Sequence, residues 1–172
     1  MTDFPTRRNT LRLRDFDYRT PGHYFVTIGT YQHLPIFGEV NDARMHLNPL
    51  GEIVKQCWLL IPQTTGYIKL DRFVIMPNHL HGIVCIMDST PAIDAEPLPT
   101  AHAQARSLSV VMRTFKAGVT RIANQQWQEP PVKIWQRSFY DRIIRNEESL
   151  QAVRAYIDNN PLVWWQKRQE RG

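Results

Sequence analysis

The sequence predicts an α+β fold of the split βαβ type, an antiparallel sheet with helices on one face and one further helix at the C-terminus. Two observations lead there. Runs rich in aromatic and β-branched residues alternate with segments of helical periodicity, in the order strand, helix, strand, strand, helix, strand, helix. The chain of 172 residues, 42% apolar with five Trp, is long enough for one domain with a sizeable core and too apolar for disorder.

Each element has its own signal. Residues 1–20 read as a basic N-terminal arm carrying Arg7, Arg8, Arg12, Arg14 and Arg19. His23 to Gln32 (HYFVTIGTYQ) is the first predicted strand. Asn48-Pro49 supplies an N-cap and a proline at the first helical position. Leu50, Ile53, Val54, Cys57 and Leu60-Ile61 follow at helical spacing, and Pro62 marks a stop. Gly66 opens a second strand, Tyr67 to Met76; Pro77-Asn78 is a turn, and His79 to Met87 is a third strand. Residues 88–106 turn to Pro, Ala, Asp and Thr without periodicity, a flexible insert loop. Ser107 caps a helix with the apolar stripe Leu108, Val111, Met112, Phe115, Val119 and Ile122. Val132 to Arg145 reads as a fourth strand. Asn146 with Glu147-Glu148 starts a last helix with buried Leu150, Val153 and Ile157, which Pro161 should end or kink. Residues 166–172 are left as a basic tail. The result is a ferredoxin-like (RRM-like) sandwich, a frame that serves binding modules and enzymes alike, so function must come from the sites.

Composition narrows the classes. A net charge of +5 and a pI near 9.5 fit a polyanionic partner, nucleic acid first, with arginines at the N-terminus and Lys167, Arg168 and Arg171 at the other end. Cys57 and Cys85 sit in apolar segments and read as core residues, and the lack of a CxxC pair argues against a cysteine zinc site. The N-terminus lacks a signal-peptide core and no apolar run reaches spanning length, so the expectation is a soluble cytoplasmic protein.

MPNHLHGIV, residues 76–84, carries the most chemistry. Strand alternation puts His79 and His81 side by side on one face and Leu80 in the opposite layer. A lone histidine here reads as an ordinary half-buried side chain, whereas two neutral imidazoles together make half of a metal site. Tyr156 and Asn160 stand at i and i+4 on the last helix, on the shoulder of its apolar stripe. A phenol needs an activated target to act as nucleophile, and a divalent cation polarising a phosphoryl oxygen supplies one. An amide oxygen from Asn160 would complete the protein's share of the ligands. Arg113, Lys116 and Thr120 share one polar strip of the preceding helix, for which solvation and phosphate contact are equally good readings.

The chain resembles the single-tyrosine HUH transposases, and within them the REP-associated tyrosine transposases. The resemblance rests on VIMPNHLHGIV, the helix around MRTFKAGVTRI, WQRSFYDRIIRNEESL and VRAYIDNNP, in the family's order over residues 20–162. It implies that residues 21–165 are a catalytic domain. His79 and His81 would bind magnesium or manganese, Tyr156 would be the nucleophile, and Asn160 would complete the metal site. The family cuts single-stranded DNA beside hairpins, leaving a 5′-phosphotyrosine and a free 3′-OH, and rejoins strands by the reverse attack. Arg12, Arg14, Arg113, Lys116, Arg137 and Tyr140 are the candidate nucleic-acid contacts, with Tyr140 as a structural ring or a stacking platform. The protein is expected to act as a monomer or homodimer.

Two other readings compete. A non-catalytic RRM-like module would stack bases on Trp135, Phe139 and Tyr140 and has no need of His79, His81, Tyr156 and Asn160 together. A metallohydrolase would use water as nucleophile and leave Tyr156 idle.

Overall fold

The computed structural model describes residues 20–88, 107–127 and 133–170. In chain order it has β1 (Gly22–Gly29), a 3-10 turn at Tyr31–His33, β2 (Gly38–Asn41), β3 (Arg44–Leu47), α1 (Pro49–Leu59), α2 (Ile61–Thr65), β4 (Ile68–Met76), β5 (His79–Ile86), α3 (Leu108–Gln126), β6 (Tyr140–Ile144) and α4 (Glu147–Gln169). The main sheet runs β4-β5-β1-β6 with every pairing antiparallel, the ferredoxin-like order that the sequence predicts. The expected caps are in place: Asn48, Ser107 and Asn146 each accept a backbone N–H from three residues on. The Arg-rich arm, with Arg12 and Arg14, and nearly all of the insert lie outside the described residues.

The sheet separates two hydrophobic clusters. On one face Tyr24, Val26, Ile28, Leu80 and Val84 pack with α1 and α3 around the fully buried Trp58. On the other, Ile83 and Ile144 meet Leu150, Val153 and Ile157 of α4. Strand alternation makes both from alternate residues of β5. Gly82 makes room for Trp58 against the sheet, since a methyl there would overlap the indole.

Four expectations change. The hairpin β2–β3 has no counterpart in the sequence reading. Its turn holds Asp42 and Ala43 at φ 48° and 59°, a left-handed pair built without the glycine that usually flags it. Pro62 opens α2 instead of ending the helical region. The fourth strand shrinks to Tyr140–Ile144, with a single bridge from Trp135 to Thr30 before it. Lys116 explains this: its ammonium donates to the carbonyls of Gln136, Arg137 and Ser138, which are therefore lost to a ladder. Lastly, α4 runs on through Pro161 to Gln169, so residues 166–169 are helix and not tail. An interior proline costs a helix about 3 kcal/mol. Packing of the last turns, with Trp164 against His79, offsets it.

The hairpin is anchored through main chain at its root. Phe37 N–H donates to Pro77 O at 3.0 Å, Asn48 N–H to Phe37 O at 3.1 Å, and the Asn48 side chain to Ile36 O at 2.9 Å. Gly38 follows at φ +134°, with the His46 carbonyl where a Cβ would stand.

Candidate active site

The floor of the site is β5. His79 lies opposite Met76 and Gly29, and His81 opposite Val74 and Thr27. Both rings face α4, 4.4 Å apart between centroids and inclined at 68°. His81 is pinned on three sides. Its Nδ1 is 2.8 Å from Thr27 Oγ1, its Nε2 is 3.3 Å from the Tyr156 hydroxyl, and Phe25 stacks on its ring at 5.3 Å. Phe25 also meets Tyr156 edge-on at 6.0 Å, so one phenyl ring orients both groups.

His79 is oriented from behind. Its Nδ1 lies 2.6 Å from Asn78 Oδ1, while Asn78 Nδ2 donates to the His33 carbonyl at 3.2 Å. The amide oxygen can only accept, so Nδ1 carries the proton and Nε2 keeps its lone pair. The His33 carbonyl reaches Asn78 because Gln32 and His33 both adopt left-handed backbone, φ 52° and 56°. Thr30 holds that turn through its hydroxyl, 2.8 Å from Leu34 O and 3.0 Å from Asn78 O. Burial lowers the pKa of His79 to about 4, helped by nearby His33, and lowers that of His81 well below 6.5, helped by His79. Both imidazoles are neutral at pH 7 and offer lone pairs.

Tyr156 arrives on α4, which is fixed to the sheet edge by a fork. Arg154 donates to both Asp71 oxygens, with Nη2 to Oδ2 at 2.6 Å, where a register shift interrupts β4. The guanidinium holds the Asp71 carboxyl below the usual carboxylate range. Asn160 lines the same cleft as His79 and Tyr156, a cavity of about 1070 Å³ walled by the hairpin on one side and α4 on the other. Sequence reasoning missed its remaining walls. Glu39 and His46 come from the unforeseen hairpin. Trp164 stands one turn beyond Asn160, where i, i+4, i+8 spacing from Tyr156 would have found it had Pro161 not been read as a break.

Among the described residues no group of three or more His, Cys, Asp or Glu gathers as a metal cage. The donors at hand are two neutral imidazoles and, in the cleft that His79 lines, the Asn160 amide. Such a set fits a divalent cation that keeps positions for water and a phosphate, and does not fit a closed structural site.

The other candidates divide. Arg113 and Arg137 are exposed and line a second groove of about 920 Å³ with Arg121 and Asn124, on the α3 side. Lys116 lines it too, but its ammonium is engaged by three carbonyls and burial lowers its pKa. Trp135 is buried and donates its indole N–H to Lys116 O, so it is a core residue and no stacking platform. Tyr140 is exposed, and it pairs with Thr27, as His81 does from the other side. Tyr140 thus shares the histidines' sheet face, on the far side of β1. Both cysteines are free thiols. No helix among the described residues is long and apolar enough to cross a membrane.

Fold and site together define an α+β sheet domain in which a strand-borne histidine pair meets a helix-borne tyrosine. The chain belongs to one family with an uncharacterized protein of Haemophilus influenzae, 39% identical over 165 residues, 92% of this chain and 91% of that one. No protein-family model matches the chain. Its fold is that of a REP-associated tyrosine transposase whose structure was solved bound to a REP hairpin. The two superpose with a TM-score of 0.57 over 86% of this chain and 70% of the other, at 18% identity.

Proposed function

We propose that the chain is a metal-dependent enzyme that nicks single-stranded DNA at hairpin sequences and transfers the strand through a 5′-phosphotyrosine on Tyr156. One observation carries the reading. A helix-borne phenol stands 3.3 Å from the buried, neutral imidazole of His81, beside a cleft of about 1070 Å³ that Tyr156 and His79 line. The solved neighbour, bound to a REP hairpin, supports hairpin DNA as the substrate class.

His79, His81 and Asn160 would hold the magnesium or manganese ion, which when bound supplies positive charge to a phosphoryl oxygen. The chain's own residues do the rest. Asn78 and Thr27 hold the imidazoles, and Phe25 aligns Tyr156 with His81. In the transfer the phenol gives up its proton and its oxygen joins the phosphorus. The P–O3′ bond breaks, and the 3′ oxygen leaves as a hydroxyl by taking a proton. Arg113 and Arg137, with Arg12 and Arg14 of the arm, would grip phosphates, while Lys116 holds the loop that presents Arg137. The RRM-like alternative needs an open sheet face, and α4 packs on Ile83 and Ile144 of that face.

The test is incubation of the full chain with a labelled hairpin oligonucleotide and Mn²⁺, followed by a denaturing gel. A covalent adduct is expected, absent in Tyr156→Phe and with EDTA, retained in Tyr140→Phe. Cleavage without any adduct would transfer the site to a hydrolase using water.

A further inference from the structure

We propose that the half of α4 beyond Pro161 binds the single strand flanking the cut, with Trp164 as a base-stacking platform and Lys167 and Arg168 as a phosphate clamp. The inference deepens the reading of the cleft as a DNA site and rests on it. Its first support is geometric. Because α4 continues to Gln169, Tyr156, Asn160, Trp164 and the pair Lys167–Arg168 follow one another on a single helix face. All of them line the one cleft of about 1070 Å³. Trp164 stands about 12 Å along the axis from Tyr156 and the two cations about 5 Å further, a span of a few extended nucleotides.

The chemistry of the walls is one-sided. The half-buried Trp164 ring lies 6.1 Å from the His79 ring at 46°, so its apolar surface adjoins the reactive floor. An aromatic face beside a cationic strip is the combination that holds single strands without reading sequence. No ion pair with a described residue neutralises Lys167 or Arg168, and both are exposed. Across the cleft the hairpin presents the exposed carboxylate of Glu39. The lysine and arginine side chains that line the cleft thus both stand on the helix wall, and that wall attracts a phosphate chain. A protein partner or a free small anion would not require stacking surface and clamp in this series.

The experiment uses the full chain and fluorescein-labelled hairpin DNA made with and without a single-stranded flank, titrated by anisotropy over a range of salt. K167Q/R168Q should weaken binding of the flanked hairpin and reduce the slope of log affinity against log salt by about 1.4, two phosphate contacts' worth. W164L should weaken it about ten-fold with the slope unchanged, and W164F should restore most of the loss. The hairpin without a flank should bind all variants as it binds wild type. Wild-type affinity and slope of the variants on flanked DNA would overturn the proposal, as would equal losses on both DNAs. Adduct formation by the wild type separates the two claims. An adduct with unaffected flank binding in the variants removes the clamp and leaves the nucleophile. Flank-dependent losses without an adduct keep the clamp and remove the chemistry.

Discussion

Asn78 sets the face that His79 shows to the cleft: its Oδ1 accepts a hydrogen bond from Nδ1–H at 2.6 Å, while its own amide N–H donates to the His33 carbonyl. Asn78→Ala should release His79 to a mixture of tautomers, read directly from ¹⁵N chemical shifts of the ring. Mn²⁺ affinity should fall by roughly ten-fold or more, the usual effect of losing an orienting partner behind a ligand. Asn78→Asp keeps an acceptor and should keep the tautomer. An unchanged ring spectrum in Asn78→Ala would remove Asn78 from the site.

The histidine pair also makes stability depend on pH. Folded His79 has a pKa of about 4, and His81 is likewise depressed, while in the unfolded chain both titrate near the ordinary 6.5. Between those values the unfolded state binds more protons. Their contribution is therefore full above pH 6.5 and is lost as pH falls toward 4, with an upper value for His79 on the order of 3 kcal/mol. Urea midpoints measured from pH 7.5 to 4.5 should drop steeply in wild type and less in His79→Gln/His81→Gln. Parallel curves would place the acid sensitivity elsewhere.

The fork between Arg154 and Asp71 fixes α4 two residues from Tyr156. Arg154→Leu should leave the main core intact, speed amide exchange selectively in α4, and slow adduct formation more than hairpin binding. Equal exchange rates in wild type and variant would show that the apolar cluster alone seats the helix. Arg72 and Asp158 approach across the same boundary at 3.7 Å, both largely exposed, and should matter little.

Gly82→Ala tests the layer beneath the site. The added methyl collides with Trp58, and overpacking of this kind costs about 1–3 kcal/mol. Trp58→Phe makes room, so the double variant should be more stable than the sum of the two single losses predicts. Strict additivity in thermal melts would mean that the sheet yields and the indole does not.

The frame was legible in the sequence because its helices declare themselves by caps and its strands by alternation. Asn48, Ser107 and Asn146 mark helix starts that the structure keeps. The i, i+2 spacing of His79 and His81, with Leu80 in the opposite core, was legible too. What was not legible depends on contacts distant in sequence. Lys116 draws the 136–138 carbonyls away from a ladder, a contact no local pattern announces. Pro161 carries a local signal that tertiary packing overrides, and the overlooked turns hold four of the six α4 residues that line the cleft. The Asp42-Ala43 turn lacks the glycine that would have exposed the hairpin.

The anchoring of the hairpin has a mechanical consequence. One jaw of the cleft is bolted by main-chain bonds from Phe37 to the turn before His79 and from Asn48 back to Phe37, with Gly38 leaving no slack at the joint. The opposite jaw, α4, hangs on side chains: a small apolar cluster, one guanidinium fork and a tilted indole. Stiffness is therefore unequal across the opening. On the proposed reading, narrowing onto a strand falls to the helix that bears Tyr156, with the hairpin as its anvil.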